Sequence, residues 1–487
     1  MNINTSLINF KKKHQNKKNQ IIFTKTKCKS NKIIENIINN FLIKKNSFIF
    51  ESVEKRRIRG RYTIVGADPD KIWEFKNKNI YVFENNKKKS IKRSPYTFLK
   101  KLIEDFNFQL PKNIPPLCSL LVGYFSYDII RYIEKIPNNC VDDLKIPDIR
   151  LMRPKTIIIH DNVDKEIYFI KNCFSDEKIN NYDEYFLKQK RNIDFLKNLA
   201  FDSTYINANK IYKSKKILVK SNISKKKFKN NVLKAKKYIK KGDIFQVVLS
   251  QRFETKLNKE PLEIYKKLRI KNPSPFMFFF NFEDFQIIGS SPEILVRLRN
   301  DKITIRPIAG TRPRGSNAKK DKFYKEQLLK DKKELSEHLM LLDLGRNDVG
   351  KVSKINTVKV TEKFRIEKYS HVMHIVSNVE GKFDKKQSML DTMLAGFPAG
   401  TVTGAPKIRA MEIIDELEKS KRKMYAGSIG YFSADKNFDT CIALRTALIK
   451  NKKFYIQSGA GIVADSIPEN EYLETINKAK ALISSLN

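Results

Sequence analysis

The sequence predicts an α+β fold in which antiparallel sheets pack as a sandwich with helices on the outside. Three observations predict it. Short alternating strands broken by turns fill residues 21–199, five strands crowd into residues 244–308, and helical patterns dominate only after that. Strands so close in sequence pair antiparallel, and helices that follow strands rather than alternate with them argue against a doubly wound sheet. A chain of 487 residues exceeds one ordinary core, so two domains or one unusually large sandwich is expected. Its 41% hydrophobic content, with 32 Phe and 19 Tyr, is that of a globular protein.

In chain order, residues 1–20 are polar and basic without an apolar run and read as a tail carrying no secretion signal. Residues 21–199 form an N-terminal region with strands at 48–52, 62–66 and 156–160. Residues 200–223, rich in Lys, Asn and Ser, read as a linker. A second domain, 224–487, opens with a helix: Ser224 is its N-cap, Phe228, Val232, Ala235 and Ile239 share one face, and Gly242 takes the C′ position. Strands follow at 244–253, 276–282, 287–289, 294–298 and 303–308, the last two joined across Asn300-Asp301 as a hairpin. Helices are expected at 323–342, 405–418 and 469–486, and no stretch of 18 apolar residues offers a membrane span.

Lys and Arg outnumber Asp and Glu by 97 to 53, a formal +44, which raises the question of nucleic acid or an acidic membrane. The lysines are spread through every segment beside Asn and Ile, and no recognition helix or aromatic-interleaved motif concentrates them. A compositional bias is therefore expected, with neither nucleic acid nor membrane as partner. Five cysteines, an odd number without metal-type spacing, suit a reducing cytoplasm.

Two carboxylate pairs stand at i,i+3 spacing, Glu334 with Glu337 and Glu471 with Glu474. On helices each pair shares a face, and two such helices together offer hard oxygen ligands to Mg2+; solvated helix faces carry the same pattern. Gly400-Thr-Val-Thr-Gly-Ala-Pro-Lys407 opens a helix with Pro406 in its first turn, and Ser458-Gly-Ala-Gly461 follows a strand at 454–457. Both can present bare N–H groups to an anion. The first lacks the ending of a nucleotide P-loop, and the second, though it fits a dinucleotide pattern, opens no helix. Carboxylate or phosphate capture is the better use. His371 and His374 lie on a strand at odd spacing, so they face opposite ways and one of them can enter a site as acid or base.

These motifs, with Pro273-Ser-Pro-Phe-Met277, Ile288-Gly-Ser-Ser-Pro-Glu293, Arg306-Pro-Ile-Ala-Gly-Thr-Arg-Pro-Arg-Gly315 and Glu337-His-Leu-Met-Leu-Leu-Asp-Leu-Gly-Arg-Asn-Asp348, resemble in their order the chorismate-utilising enzyme family, and within it the component I branch of the anthranilate synthases. The resemblance covers residues 224–486 densely. Residues 21–199 resemble the family's regulatory region more loosely, through Phe50-Glu-Ser-Val53, Gly60-Arg-Tyr62 and Gly123-Tyr-Phe-Ser-Tyr-Asp128.

The resemblance implies Mg2+ held by Glu337 and Glu474, with Glu334 and Glu471 close by or bound through water. It implies chorismate bound by Gly310, Thr311, Tyr425, Arg445, Gly459, Ala460 and Gly461, His374 as the acid/base that removes the C2 proton, and Thr401 as a site-lining hydroxyl. Sister enzymes carry a nucleophilic lysine where Ala309 stands, or a water-activating lysine where Gln246 stands, so the resemblance implies external ammonia as nucleophile and anthranilate as product. No cysteine sits in a Gly-x-Cys-x-Gly turn, which implies a separate glutamine amidotransferase subunit as the ammonia source. An L-tryptophan inhibitor site would use Ser52, Pro275, Phe276 and Met277. Phe276 stands where tyrosine is common, and Lys55, Arg56 and Arg57 replace a Gly/Glu-rich stretch; an ordinary strand end and a buried aromatic strand fit the same residues.

Overall fold

The computed structural model describes residues 3–28, 32–53, 60–201, 217–369 and 372–486. Among these, twenty-two strands join one hydrogen-bonded network. Its spine is a pair of long strands, Tyr62–Lys76 and Ile149–Asp161, antiparallel from Tyr62 opposite Asp161 to Phe75 opposite Ile149. Different neighbours dock on the two ends of this spine, which splits the network into two arms.

The first arm starts where Ser47–Glu51 pairs with residues 64–66. It continues through Phe276–Asn281, Gln286–Ser291, Thr446–Lys450 and Lys453–Ile462 to Gln246–Lys256. The second starts where Leu120–Phe125 pairs with residues 149–152. It runs through Ser428–Ser433, Phe438–Ile442, Ile294–Arg299 and Lys302–Ile305 to Val372–Lys382, which also carries Ile308–Pro313 and Lys359–Lys368. Every one of these pairings is antiparallel, and helices cover the outer faces, so the α+β sandwich expected from sequence is the fold observed.

The run Phe276 to Phe280 explains how the arms pack. Phe278 and Phe280 point inward against Phe48, Val122, Tyr124 and Ile429, and so bridge the two arms. Met277 and Phe279 point outward against Ile49, Ile264, Leu268 and Leu482 beneath the helices. A strand buried on both faces reads as a continuous apolar run because side chains alternate with period two.

Sequence and structure differ at several points. Residues 21–199 and 224–487 share both arms and all three large cores, so residues 200–223 do not separate two independently packed units; 202–216 lie outside the described residues. The segment read as a tail contains the helix Leu7–Gln15, capped by Ser6. Its Phe10 is fully buried against Tyr182, Tyr185 and Phe186, an anchor that the surrounding lysines mask in sequence. The helix expected at 323–342 is two, Ala318–Lys330 and Lys332–Gly350, because Asp331 takes an extended conformation and its carboxylate accepts the N–H groups of Lys333 and Glu334. The strand expected at 303–308 likewise divides into Lys302–Ile305 and Ile308–Pro313. It breaks at Arg306-Pro307, where Pro307 has no N–H to give a ladder.

Other expectations hold. Ser224 caps Lys225–Lys240, and Gly242 follows it with φ +82. Asn300 and Asp301 both take positive φ in a two-residue hairpin, the conformation that Asn and Asp tolerate best. No helix among the described residues is long and apolar enough to cross a membrane.

Candidate functional site

The far ends of the two arms carry the candidate site. On Lys332–Gly350 the Asp331 cap places Glu334 in the first turn and Glu337 one turn later. Arg312, from Ile308–Pro313, reaches up to hold Glu334 at 2.9 Å and Asp331 at 2.6 Å. Glu337 accepts a 2.9 Å hydrogen bond from Gln246 Nε2. Burial raises the Glu337 carboxyl above its usual range; the charges of Glu334 and Glu474 raise it further, against the opposing effect of Gln246. Glu474, on Pro468–Ile483, pairs with Lys478 at 2.7 Å, and Lys478 also donates to the Gly459 carbonyl at 3.1 Å. Glu471 is raised by burial and by Glu474. The two carboxylate pairs therefore form one electrostatic group.

Among the described residues no three His, Cys, Asp or Glu side chains gather closely enough to hold one ion. Arg312 and Lys478 compensate Glu334 and Glu474 instead. The donor set still suits Mg2+: it is all carboxylate oxygen, and the repulsion that raises Glu337 is what a divalent cation relieves.

The glycine segment expected to follow a strand is itself part of one, Lys453–Ile462, because pairing with Gln246–Lys256 runs unbroken to Ile462. On its other edge Thr446–Lys450 reaches only as far as Ile456, which leaves Gly459 to Gly461 open. The Gly459 carbonyl and N–H both point to this open edge, toward Lys478 and the Tyr425 hydroxyl. Alternation turns Gly461 the same way. A Cβ on Gly461 would lie 2.6 Å from Gln246 Nε2, so only glycine lets the amide reach Glu337. Ala460 between them buries its methyl in the core beneath Lys225–Lys240, so any contact it makes is through the backbone. Pro406 is the N-cap of the helix Lys407–Leu417 rather than within its first turn.

A bulge on Ile308–Pro313 brings the remaining groups in. Gly310, with φ +75, interrupts the pairing between Ala309 and Thr311, and a Cβ there would stand 3.2 Å from Glu334 Oε2. Opposite it, His374 Nδ1 lies 3.2 Å from the Gly310 carbonyl and 3.0 Å from Thr311 Oγ1. A carbonyl only accepts, so the Gly310 contact favours the tautomer with the proton on Nδ1, which leaves the Nε2 lone pair free. Burial, with the nearby Arg445 charge, pushes the His374 imidazole down to about 4. Arg445 has φ +47 and a guanidinium whose pKa burial lowers. It makes no ion pair among the described residues, and a half-buried fork without a counter-charge is a ready carboxylate receptor.

Thr401, in the short helix Gly400–Thr403, donates to Glu293 Oε1 at 3.1 Å. Sequence gives Glu293 a place in a motif and no role. It is 6% exposed, and burial pushes its carboxyl up to about 8, so it is mainly protonated at neutral pH. A glutamate following Pro292 at a strand start carries no signal; its chemistry comes from the depth at which the fold sets it. Lys478 is a second residue that sequence reasoning misses, although its i,i+4 spacing from Glu474 is a legible sign.

Ser52, Pro275, Phe276 and Met277 form a separate patch where Glu51 faces Met277 across neighbouring strands and the Val53 N–H donates to the Ser274 carbonyl. The Ser52 hydroxyl is buried without a partner among the described residues. Met277 belongs to the core, and Phe276 is half-buried. Lys55, Arg56, Arg57 and His371 lie outside the described residues.

A sequence profile described as chorismate binding enzyme matches residues 45–484. Anthranilate synthase component 1 of Cereibacter sphaeroides is 45% identical over 484 residues, covering 98% of this chain and 96% of that protein. Its counterpart in Acetivibrio thermocellus is 44% identical over 445 residues, 90% of each. The crystal structure of anthranilate synthase component I from Streptococcus pneumoniae matches with a TM-score of 0.77 at 36% identity, covering 88% of this chain and 94% of that one. A menaquinone-specific isochorismate synthase from Escherichia coli, at 18% identity and a TM-score of 0.73, shares the fold over 99% of both chains. Since the profile spans nearly the whole sequence and the carboxylates, glycine edge and free arginine meet at one place, this chain belongs to the chorismate-binding enzyme family.

Proposed function

We propose that this chain is the chorismate-converting subunit of an anthranilate synthase, adding ammonia at C2 of chorismate and releasing water and pyruvate to leave anthranilate. The observation that carries this reading is the Gln246–Glu337 hydrogen bond. An amide at that position cannot deprotonate water, and Ala309 nearby offers no amine, so the nucleophile comes from outside the chain.

Arg445 binds a substrate carboxylate through its fork, while the backbone edge at Gly461 and the Tyr425 hydroxyl, itself held by the Gly459 N–H, set the other end. Glu293, protonated and steadied by Thr401, donates its proton to the departing C4 hydroxyl. His374, neutral and with Nε2 bare, removes the C2 proton as pyruvate leaves. Glu337 and Glu474 would hold Mg2+, with Glu334 and Glu471 beside them or reaching it through water; when bound, the ion supplies a Lewis acid for the substrate carboxylate and the leaving oxygen.

Ammonia is mostly ammonium at neutral pH, so a glutaminase subunit supplies it. The five cysteines are all buried, and burial pushes the Cys118 and Cys140 thiols up to about 12, so neither provides a glutaminase nucleophile. Free, buried thiols also suit a cytoplasmic enzyme. L-Tryptophan inhibits at the Ser52, Pro275, Phe276 and Met277 patch, where the buried Ser52 hydroxyl has no hydrogen-bond partner among the described residues.

Purified protein with chorismate, Mg2+ and an ammonium salt is expected to yield fluorescent anthranilate, and Glu337→Gln or Glu474→Gln to abolish it. Product formed without ammonium would assign the chain to the isochorismate-type sisters instead.

A further inference from the structure

A cavity of about 370 Å3 lies between the helix Tyr182–Phe201 and the strands of the spine. The strand under it, Glu166–Cys173, is seven inter-strand steps from Lys453–Ile462, and none of the cavity's lining residues belongs to the candidate site. Its floor is Lys171, only 6% exposed, on a face whose neighbours are the core residues Ile158, Phe169 and Cys173. A buried ammonium is costly unless compensated. Here compensation is thin. Lys171 Nζ donates to Thr156 Oγ1 at 2.6 Å, and its one acidic neighbour, Asp68, is 3.9 Å away with its side chain about half in solvent.

The surroundings add positive charge. Lys44 and Lys188 line the cavity and make no ion pair among the described residues, while Lys155 is paired with Glu177 at 2.5 Å. Lys44, Lys171 and Lys188 thus face Asp68 alone, a surplus of two positive charges in a concave site. Burial and the Lys44 and Lys155 charges push the Lys171 ammonium down, the cost an incoming anion would remove.

An uncharged polar group points into the same space. Gln189, 4% exposed, lines the cavity, and its carboxamide makes no hydrogen bond among the described residues, which leaves it for whatever fills the cavity. Phe195 and Leu196 supply an apolar wall. From these we propose that the cavity is a binding site, distinct from the chorismate site, for a small organic anion: a phosphate or carboxylate head on Lys171, a polar substituent on Gln189, and an apolar body against Phe195. The proposal stands on the cavity alone and does not depend on the catalytic reading.

The test is calorimetric titration of the full chain carrying Arg445→Gln, which removes the carboxylate receptor of the other site, with phenyl phosphate and with benzoate. One saturable site per chain is expected for at least one of them, which identifies the head group, and none for benzyl alcohol. Lys171→Met and Gln189→Leu keep side-chain length and should each weaken binding roughly ten- to hundredfold, the loss of one hydrogen bond to a charged or buried partner. If Lys171→Met fails to fold, Gln189→Leu carries the same reading. Absence of saturable binding for both anions, or binding unchanged by these substitutions, overturns the proposal.

Discussion

Glu293→Gln tests whether a protonated carboxyl drives departure of the C4 hydroxyl. Burial moves this group from an ordinary 4.5 to about 8, so at pH 7 roughly ten molecules in eleven carry the proton. The shift corresponds to about 5 kcal/mol of preference for the neutral form, at 1.36 kcal/mol per unit. Glutamine keeps the volume and can still accept the Thr401 hydroxyl, but it has no proton to give. Loss of a general acid lowers kcat by about 10²- to 10⁴-fold. The assay is ammonium-dependent anthranilate fluorescence from pH 6 to 9.5, with each point corrected for the free ammonia present. The wild-type chain should lose activity as pH rises through about 8, and the variant should lack that limb. The linkage runs the same way: the folded chain keeps a proton that the unfolded chain releases above about 4.5, so this group's contribution to stability falls as pH rises from 4.5 to 8. Glu293→Gln should remove that slope. Activity within a few-fold of wild type, or an unchanged alkaline limb, would refute the assignment.

Four further outcomes are expected. Because His374 sits at about 4, the acid limb of kcat should fall below about pH 5; a limb near 6.5 would mean an imidazole that is not buried as described. Arg445→Lys should lower kcat/KM for chorismate roughly ten- to hundredfold by losing the planar fork, and unchanged steady-state kinetics would remove Arg445 from the site. Chelation with EDTA should abolish turnover and added Mg2+ restore it, whereas activity that survives chelation counts against the Glu337 and Glu474 reading. Phe278→Ala should destabilise the fold by about 3–5 kcal/mol in urea unfolding, since Phe278 is completely buried between the arms, and a loss under 1 kcal/mol would contradict that packing.

Much of the site was legible because its residues lie in short, dense motifs. The carboxylate pairs, the glycine segment and the Asn300-Asp301 hairpin depend on spacing of three, two and one residues, and local backbone geometry sets such spacing. The helix break at Asp331 was not legible, since a capping carboxylate inside a charged run looks like any other. Nor was the burial of Phe10, which depends on aromatic partners more than 170 residues away. Glu293 belongs with these: its identity is plain in the sequence, and its protonation is not.

The sequence by itself determined the fold class, the antiparallel pairing and the family, and it named candidates for the site, because hydrophobic period and motif spacing are local properties of a chain. Tertiary structure alone decided that the two halves share their sheets, that Gln246 meets Glu337 across 91 residues, and that Glu293 keeps its proton. Those depend on which distant strands become neighbours and on how far water is excluded between them, and neither quantity is written in any one segment.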